Sequence, residues 1–252
     1  MLFPPSLVVI SGASRGIGLA FAQQLLQRSG DTTVIAASRS GSEAPALRQL
    51  QLDFPGRVAP MACDVTNAGD CKTLAAQVKA DYDQPVDLLL NVAGVLHEAG
   101  TSGYMPERSL AQVDADRMAQ VFATNAIGPV LMTQAFAPQF RKGSVVGNLS
   151  ARVGSISDNG LGGWWSYRMS KAALNMATVN MSIELKRKGA IAIALHPGTT
   201  DTGLSEPFQK NVKPEKLFTP QYSAGSMLDV IEGLKPEDTG RFFAYDGSPI
   251  EY

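Results

Sequence analysis

The glycine turn at residues 11–18 constrains the fold of this chain more than any other feature, because of what stands on either side of it. Leu7, Val8, Val9 and Ile10 form the short apolar run expected of a strand buried on both faces. Ser11, Gly12, Ala13, Ser14, Arg15, Gly16, Ile17 and Gly18 follow at once, and an amphipathic stretch from Ile17 to Arg28 comes next. Glycine is needed where backbone turns tightly or comes close to a ligand. Strand, turn and helix in that order place helix N-terminal amides where the pyrophosphate of a dinucleotide would sit. The spacing here is Gly-x-x-x-Gly-x-Gly rather than Gly-x-Gly-x-x-Gly.

The remainder of the chain continues the alternation. Candidate strands are Leu7 to Ser11, Thr33 to Ser38, Arg57 to Cys63, Val86 to Asn91, Gly143 to Ser150, Ala190 to Leu195 and Arg241 to Tyr245. Their separations suit crossover helices, which predicts an α/β chain with a parallel, doubly wound, seven-stranded sheet and helices on both faces. Residues 1–252 read as a single domain. In such sheets the ligand lies beyond the carboxyl ends of the strands. Gly12, Asp64, Gly94, Ser150 and Pro197 each stand just after a candidate strand. Residues 198–221, rich in Pro, Thr and Lys, are long enough to form a lid over that site.

A second constellation lies downstream. Tyr167 and Lys171 are four residues apart, so on a helix they share a face, about 5 to 6 Å from one another. A free phenol titrates near pH ~10, and a neighbouring ammonium favours the phenolate. The spacing therefore predicts a Tyr167 acidic enough to exchange a proton with an alcohol or carbonyl oxygen near neutrality.

With these residues in view, the chain resembles the short-chain dehydrogenase/reductase superfamily over nearly its whole length. Ser11 to Gly18 is similar to that family's Thr-Gly-x-x-x-Gly-x-Gly loop, with Ser in place of Thr. Asn91, Val92, Ala93 and Gly94 resemble its Asn-Asn-Ala-Gly segment, Asn125 its helix asparagine, and Tyr167 with Lys171 its active-site pair. Pro197 and Gly198, with Thr202, resemble the loop that closes over the nicotinamide. Residues 152–163 and the Asp246-Gly247 pair are most similar to the C-factor/sniffer-type carbonyl reductase subgroup. The resemblance implies a Rossmann fold and a dinucleotide held by Gly12, Ser14, Arg15, Gly16, Ile17, Gly18, Asp64, Val65, Asn91, Ala93, Gly94, Tyr167, Lys171, Pro197, Gly198 and Thr202. It implies hydride transfer between nicotinamide and a carbonyl carbon, with Tyr167 as general acid. Lys171 would lower the pKa of Tyr167 and bind the nicotinamide ribose, and Asn125 would hold a water linking Lys171 to solvent. Asp64 would lie beside the adenine, although Asp64, Val65, Thr66 and Asn67 also read as a helix cap, and both roles are compatible.

Charge at the end of the second strand bears on the choice of dinucleotide. An acidic residue roughly 20 positions past the glycine loop would bind ribose hydroxyls and repel a 2′-phosphate. Here that stretch is Ala36, Ala37, Ser38 and Arg39, without a carboxylate. Ser38 and Arg39, with Arg15 from the loop, are suited to hold the phosphate, which predicts NADP(H) rather than NAD(H).

The chain departs from the family pattern at the catalytic serine. The strand-end motif Ser-Ser-x-x-Gly is matched by Ser150, Ala151, Arg152, Val153 and Gly154, so Ala151 stands where a hydroxyl is expected. Two substitutes present themselves. Ser155 precedes Tyr167 at close to the family's usual separation, and would orient the carbonyl oxygen; Ser150 is the alternative, although strand alternation turns it to the face opposite position 151. His97, Met105, Trp164, Trp165 and Phe208 lie in segments expected to border the pocket, where bulky apolar walls suit a small hydrophobic aldehyde or ketone. His196 reads as structural.

Composition narrows the partners. A formal net charge of −1, without a run of like charges, gives no reason to expect nucleic acid or an anionic membrane. Cys63 and Cys71 are the only cysteines and read as reduced thiols; with two histidines in the chain they offer no metal-ligand cluster. The start Met1, Leu2, Phe3, Pro4, Pro5 lacks the basic and long apolar regions of a secretory signal, and no stretch reaches the roughly 20 residues of a membrane span. The expectation is a cytoplasmic NADP(H)-dependent oxidoreductase acting on a small-molecule carbonyl or alcohol. Family resemblance implies a homodimer or homotetramer built on the helices carrying Asn125 and Tyr167. A dinucleotide-binding signalling or sensor protein with little turnover is the alternative that Ala151 leaves standing, and an interaction protein without cofactor would leave Arg15, Gly16 and Gly18 unexplained.

Overall fold

The structure, a computed structural model, describes residues 4–97 and 105–252. Met1, Leu2 and Phe3, part of the segment read for a leader, lie outside the described residues. In chain order the elements are β1 (Leu7–Ser11), α1 (Gly16–Arg28), β2 (Thr33–Ser38), α2 (Pro45–Asp53), β3 (Val58–Ala62), α3 (Ala68–Asp81), β4 (Leu88–Asn91), α4 (Ala115–Phe122), α5 (Gly128–Phe136) and β5 (Val145–Leu149). They continue with α6 (Trp165–Leu185), β6 (Ile191–His196), two short strands β7 (Thr199–Thr200) and β8 (Leu217–Phe218), α7 (Pro220–Glu232) and β9 (Phe242–Ala244).

The expected parallel sheet is present, with seven strands in the order β3-β2-β1-β4-β5-β6-β9. The chain runs outward from β1 to β3, then returns to the other side of β1 at β4. This reversal makes a crevice between the carboxyl ends of β1 and β4, where a doubly wound sheet binds its ligand. β1 and β2 coincide with the apolar runs and β6 is shifted by one residue, while β3, β4, β5 and β9 are shorter than the runs that predict them. The N–H of Val86, for example, is taken by the Gln139 carbonyl at 3.1 Å, outside the ladder.

Strand alternation explains why the runs are apolar throughout. Val8, Ile10, Val34 and Leu90 pack on one face against Phe21, Leu25, Leu47, Leu228 and Ile231 of α1, α2 and α7. Leu7, Val9, Ile35 and Leu89 pack on the other against Leu74, Val78, Met132, Phe136 and Leu185 of α3, α5 and α6. Each fully buried side chain of this size contributes about 1.5–3 kcal/mol relative to exposure. Cys63 and Cys71 are buried free thiols within the second layer.

The segment expected to be a lid is built of structure. β7 pairs with β8, the intervening chain winds into 3-10 turns at Glu206–Asn211 and Pro214–Lys216, and α7 begins at Pro220, inside the expected loop. No described helix is long and apolar enough to cross a membrane, and the described residues contain no cluster able to hold a metal ion.

Candidate active site

The glycine loop leaves β1 with Gly12 at φ +72° and enters α1 through Gly16 at φ +53°, both in the left-handed region that side chains disfavour. A Cβ at Gly12 would lie 2.8 Å from the Ala93 backbone, and one at Gly18 would fall on the Gly12 carbonyl. The loop thus packs backbone against backbone between the ends of β1 and β4. The N-terminus of α1 has no side-chain cap at Arg15, so its first-turn amides are available to an anion. These cradling glycines and uncapped amides fit a pyrophosphate. Ser14 and Ile17 complete the loop, and a Cβ at Gly16 would lie 3.4 Å from the Thr202 methyl across its mouth.

Sequence reasoning passed over Ser11 as more than a loop residue. Its hydroxyl donates to the Leu90 carbonyl and accepts from the amides of Val92 and Ala93, joining the glycine loop to the turn after β4. The side chain of Asn91 is spent on the core: its amide donates to Asn148 Oδ1 at 2.8 Å and to Thr133 Oγ1 at 3.3 Å, tying β4 to β5 and α5.

Helix α6 brings Tyr167 and Lys171 together as the spacing predicts, both almost wholly buried at 8% and 4% exposure. The ammonium lies 5.6 Å from the centre of the phenol ring, and Nζ donates to the Leu149 carbonyl at 2.7 Å. Gly154 permits this, since a Cβ there would meet Lys171 Cβ at 2.5 Å. The expected lowering of the Tyr167 pKa is overturned. Burial raises Tyr167 above its ordinary range and lowers Lys171 to about 8, because desolvation penalises each charged form. Tyr167 is therefore a neutral phenol at pH 7, the form an acid requires.

Asn125 sits where α4 and α5 meet in a π-helical turn, Ala123–Ile127. Pro129 has no N–H to offer the carbonyl of Asn125 four residues back, and widening the turn relieves the clash of its ring. The Asn125 side chain accepts from Val95 N and donates to Val95 O, each at 2.8 Å, and donates to Ser170 Oγ at 3.1 Å. A Cβ on Gly94 would lie 3.5 Å from Asn125 Oδ1 and 3.7 Å from Lys171 Nζ. Asn125, Gly94 and Lys171 therefore converge.

Neither proposed substitute for the missing hydroxyl at Ala151 is free. Ser155 Oγ donates to the Glu251 carbonyl at 2.5 Å and accepts from Asp158 N at 3.2 Å, so it faces the C-terminal segment. Ser150 Oγ donates to Asn175 Oδ1 at 2.6 Å. The expectation for Ser155 is corrected on this ground.

The pocket border is partly as expected. Trp164 lies edge-to-face with Tyr167, ring centres 6.2 Å apart, and meets Phe208 of the lid segment at 4.8 Å. His97 contacts Phe208 at 5.8 Å, and its Nε2 is 3.1 Å from the carbonyls of Gly203 and Leu204. Trp165, on the first turn of α6, is 37% exposed, and Met105 lines a separate cavity with Arg108 and Arg117. Trp164 is the one described non-glycine residue with positive φ, +51°. Its N–H donates to the Glu107 carbonyl at 2.5 Å, and the buried Glu107 carboxylate accepts from Ser166 N and Ser166 Oγ. Glu107 thus caps the first turn of the helix that carries Tyr167, a role no local motif signals.

At the end of β2, Ser38 is buried while Arg39 is exposed, as is Arg15 on the loop. Asp64 accepts from the amide and hydroxyl of Thr66, which with the charge of Arg39 holds its carboxyl below the usual range. Within the run Asp64 to Asn67 that reads as a helix cap, the capping side chain is that of Asn67, which accepts from Gly69 N and Asp70 N. Val65 packs against Gly128, where a Cβ would meet its methyl at 2.8 Å. Pro197 and Gly198 follow β6, with Gly198 at φ +74° against Phe218 and Tyr245.

Residues 6–213 match the family model described as short chain dehydrogenase. The chain is 41% identical over 170 residues to the C-signal of Myxococcus xanthus, spanning 67% of this chain and 93% of that protein. It is 31% identical over 249 residues to the 1-hydroxy-2-glutathionyl-2-methyl-3-butene dehydrogenase of Rhodococcus sp. (strain AD45), spanning 98% of this chain and 100% of that one. Among solved structures it is similar to the NADPH-bound carbonyl reductase from chicken fatty liver, with TM-score 0.86, 31% identity, and 98% and 99% of the two chains covered. The carbonyl reductase Sniffer of D. melanogaster aligns with TM-score 0.85 at 25% identity, covering 98% of this chain and 99% of that one.

Proposed function

The chain belongs to the short-chain dehydrogenase family, and on that premise we propose that it is an NADP(H)-dependent oxidoreductase that reduces small hydrophobic aldehydes or ketones. The observation that carries the reading is the buried Tyr167–Lys171 pair, set beside a turn at Gly94 that also touches the glycine loop through Ala93. When bound, the nicotinamide supplies the hydride. Gly12, Gly16, Gly18 and the first turn of α1 would hold its pyrophosphate, and Arg15, Ser38 and Arg39 the 2′-phosphate. The dinucleotide-bound relatives, among them the NADPH-bound carbonyl reductase, support that preference.

The protein's own groups supply the proton. Tyr167, neutral at pH 7, holds the hydrogen that passes to the substrate oxygen. Lys171, protonated below about 8, stabilises the phenolate left behind. Asn125, joined to Ser170 and Val95, fixes the turn facing Lys171 and gives the pair a route to solvent. Trp164, His97 and Phe208 form an apolar wall that excludes water from this exchange. With Ser150 and Ser155 both engaged elsewhere, polarisation of the carbonyl rests on Tyr167.

That same engagement favours a second reading, a dinucleotide-binding signalling or sensor protein with little turnover, and 41% identity to a C-signal supports it. Consumption of NADPH and NADH over a panel of aldehydes, ketones and quinones, with Tyr167→Phe alongside, separates the two. Turnover with NADPH that disappears in the variant is expected of the reductase. NADPH binding without turnover on any substrate belongs to the sensor.

A homodimer or homotetramer fits the apolar side chains Ile127, Val130, Met169, Met176 and Ile183, which stand exposed on the helices around Asn125 and Tyr167. Sedimentation as a monomer at micromolar concentration would overturn this. The reading is of a cytoplasmic protein, acting on small molecules rather than nucleic acid or membrane.

A further inference from the structure

At the C-terminal ends of β6 and β9 a separate cavity of about 280 Å³ opens to solvent. Among its walls are Arg152, His196, Thr199, Lys216, Tyr245 and Asp246, and Gly198 is its one residue in common with the dinucleotide assignments above. The volume lies just below the ~300–1,000 Å³ of ordinary ligand pockets, so it suits one small polar group rather than a cofactor.

The charges around it are unevenly spent. Arg152 makes its one ion pair among the described residues with Asp158, at 3.9 Å, the outer edge of such a contact, and its charge also acts on Asp246. Lys216 makes no ion pair among the described residues. The Asp246 carboxylate, by contrast, is turned back on its own turn, accepting from Ser248 Oγ at 2.6 Å and Ser248 N at 3.1 Å. Two cations therefore face the space with hydrogen-bonding capacity to give, while the acid beside them is largely satisfied.

The inner wall adds a third observation. His196 Nδ1 is buried and has no hydrogen-bond partner, unusual for a buried polar atom. Burial, with the positive charge of Arg152, outweighs the opposite pull of the Asp246 and Asp158 carboxylates and holds this imidazole to a pKa of about 4, so it is neutral at pH 7. A neutral ring in the wall reports an anion placed beside the arginine and the lysine that share the wall with it, and that pair of cations is matched by an oxyanion.

We propose that this cavity is a binding subsite for an oxyanion, the carboxylate or phosphate group of a small molecule, with Arg152 and Lys216 as its charge partners and the His196 ring in its wall. The proposal does not depend on the reductase reading, and its test does not measure turnover. The ring ¹H and ¹⁵N resonances of His196 are followed in the full chain, assigned against His97→Gln, while inorganic phosphate or benzoate is added at constant ionic strength. The expected result is a saturable shift of the His196 ring resonances. Affinity falls by about tenfold or more in Arg152→Gln and in Lys216→Ala, and stays unchanged in Arg48→Ala, on the remote helix α2. Should Arg152→Gln fail to fold, the exposed Lys216 decides the matter alone. No movement of His196, the same movement with sodium chloride, or undiminished binding in Lys216→Ala would each overturn the proposal.

Discussion

Lys171 lies 5.6 Å from the centre of the Tyr167 ring, yet burial, and not their mutual charge, governs how each holds its proton. The phenol is driven up and the ammonium down to about 8. Reduction needs the phenol protonated and the ammonium charged, so its rate is expected to hold below pH 8 and fall as pH rises through that value. The stability sign follows from the same displacement. An unfolded lysine releases its proton near pH ~10.4, so between about 8 and that value the unfolded chain binds more protons, and stability rises with pH. Rate and stability should thus move in opposite directions above pH 8. Lys171→Met is expected to lower the rate by ~10²-fold or more and to abolish the rise in stability. A pH–rate profile and urea titrations at pH 7, 8 and 9.5 check both; a rate indifferent to pH across 8 would contradict the role given to Lys171.

Gly12 is the position where backbone geometry most directly limits the sequence. A side chain there must adopt φ +72° and place Cβ 2.8 Å from the Ala93 backbone. Gly12→Ala is expected to cost about 2–4 kcal/mol, the sum of left-handed strain and overpacking. It should also weaken dinucleotide binding, since relief requires the ends of β1 and β4 to part. Thermal unfolding with and without NADPH reads both effects; a variant as stable as the parent would show that the loop has slack the distances do not reveal.

Glu107 tests whether capping of α6 reaches the reaction. Glu107→Ala leaves Ser166 N–H and Ser166 Oγ without this acceptor and is expected to cost about 1–3 kcal/mol. Ser166→Ala removes only one donor and should cost less. If the cap sets the position of Tyr167, Glu107→Ala lowers kcat more than it raises KM, whereas Glu107→Gln, which keeps an acceptor, restores part of the rate. Equal kcat in all three would confine Glu107 to stability.

What the sequence made legible was what local spacing encodes. The strand, turn and helix around Gly12 and the four-residue interval from Tyr167 to Lys171 each act within one or two turns of chain, and the structure has them as read. The failures share a cause of another kind. Ser155 has a suitable interval to Tyr167, but its hydroxyl is captured by the carbonyl of Glu251, 96 residues away. Ser166 is taken by Glu107 across a gap of 59 residues, which hid the cap of α6. Partners so distant compete for a side chain invisibly at the level of motif. The pKa of Tyr167 failed for the same reason, since spacing gives the nearness of a charge but not the depth of burial that outweighs it.

His196 offers a prediction at acid pH. It stands at the end of β6, read from sequence as structural, and burial with the charge of Arg152 lowers it to about 4. An unfolded histidine titrates near pH ~6.5, so between about 6.5 and 4 the unfolded chain binds the proton that the folded chain refuses. This contribution to stability is complete above pH 6.5, declines as pH falls, and is exhausted below 4. Its size is up to roughly 3 kcal/mol, the free energy that separates titration near 6.5 from titration near 4. His196→Gln cannot take up this proton in either state and should unfold with a shallower dependence between pH 6.5 and 4, whatever its stability at neutral pH. Carboxylates such as Asp64 and Asp246, whose pKa values are also lowered in the fold, lose their share at lower pH in parent and variant alike. The difference between the two denaturation curves therefore isolates the imidazole. Parallel curves would mean that His196 accepts a proton as readily in the folded chain as in the unfolded one.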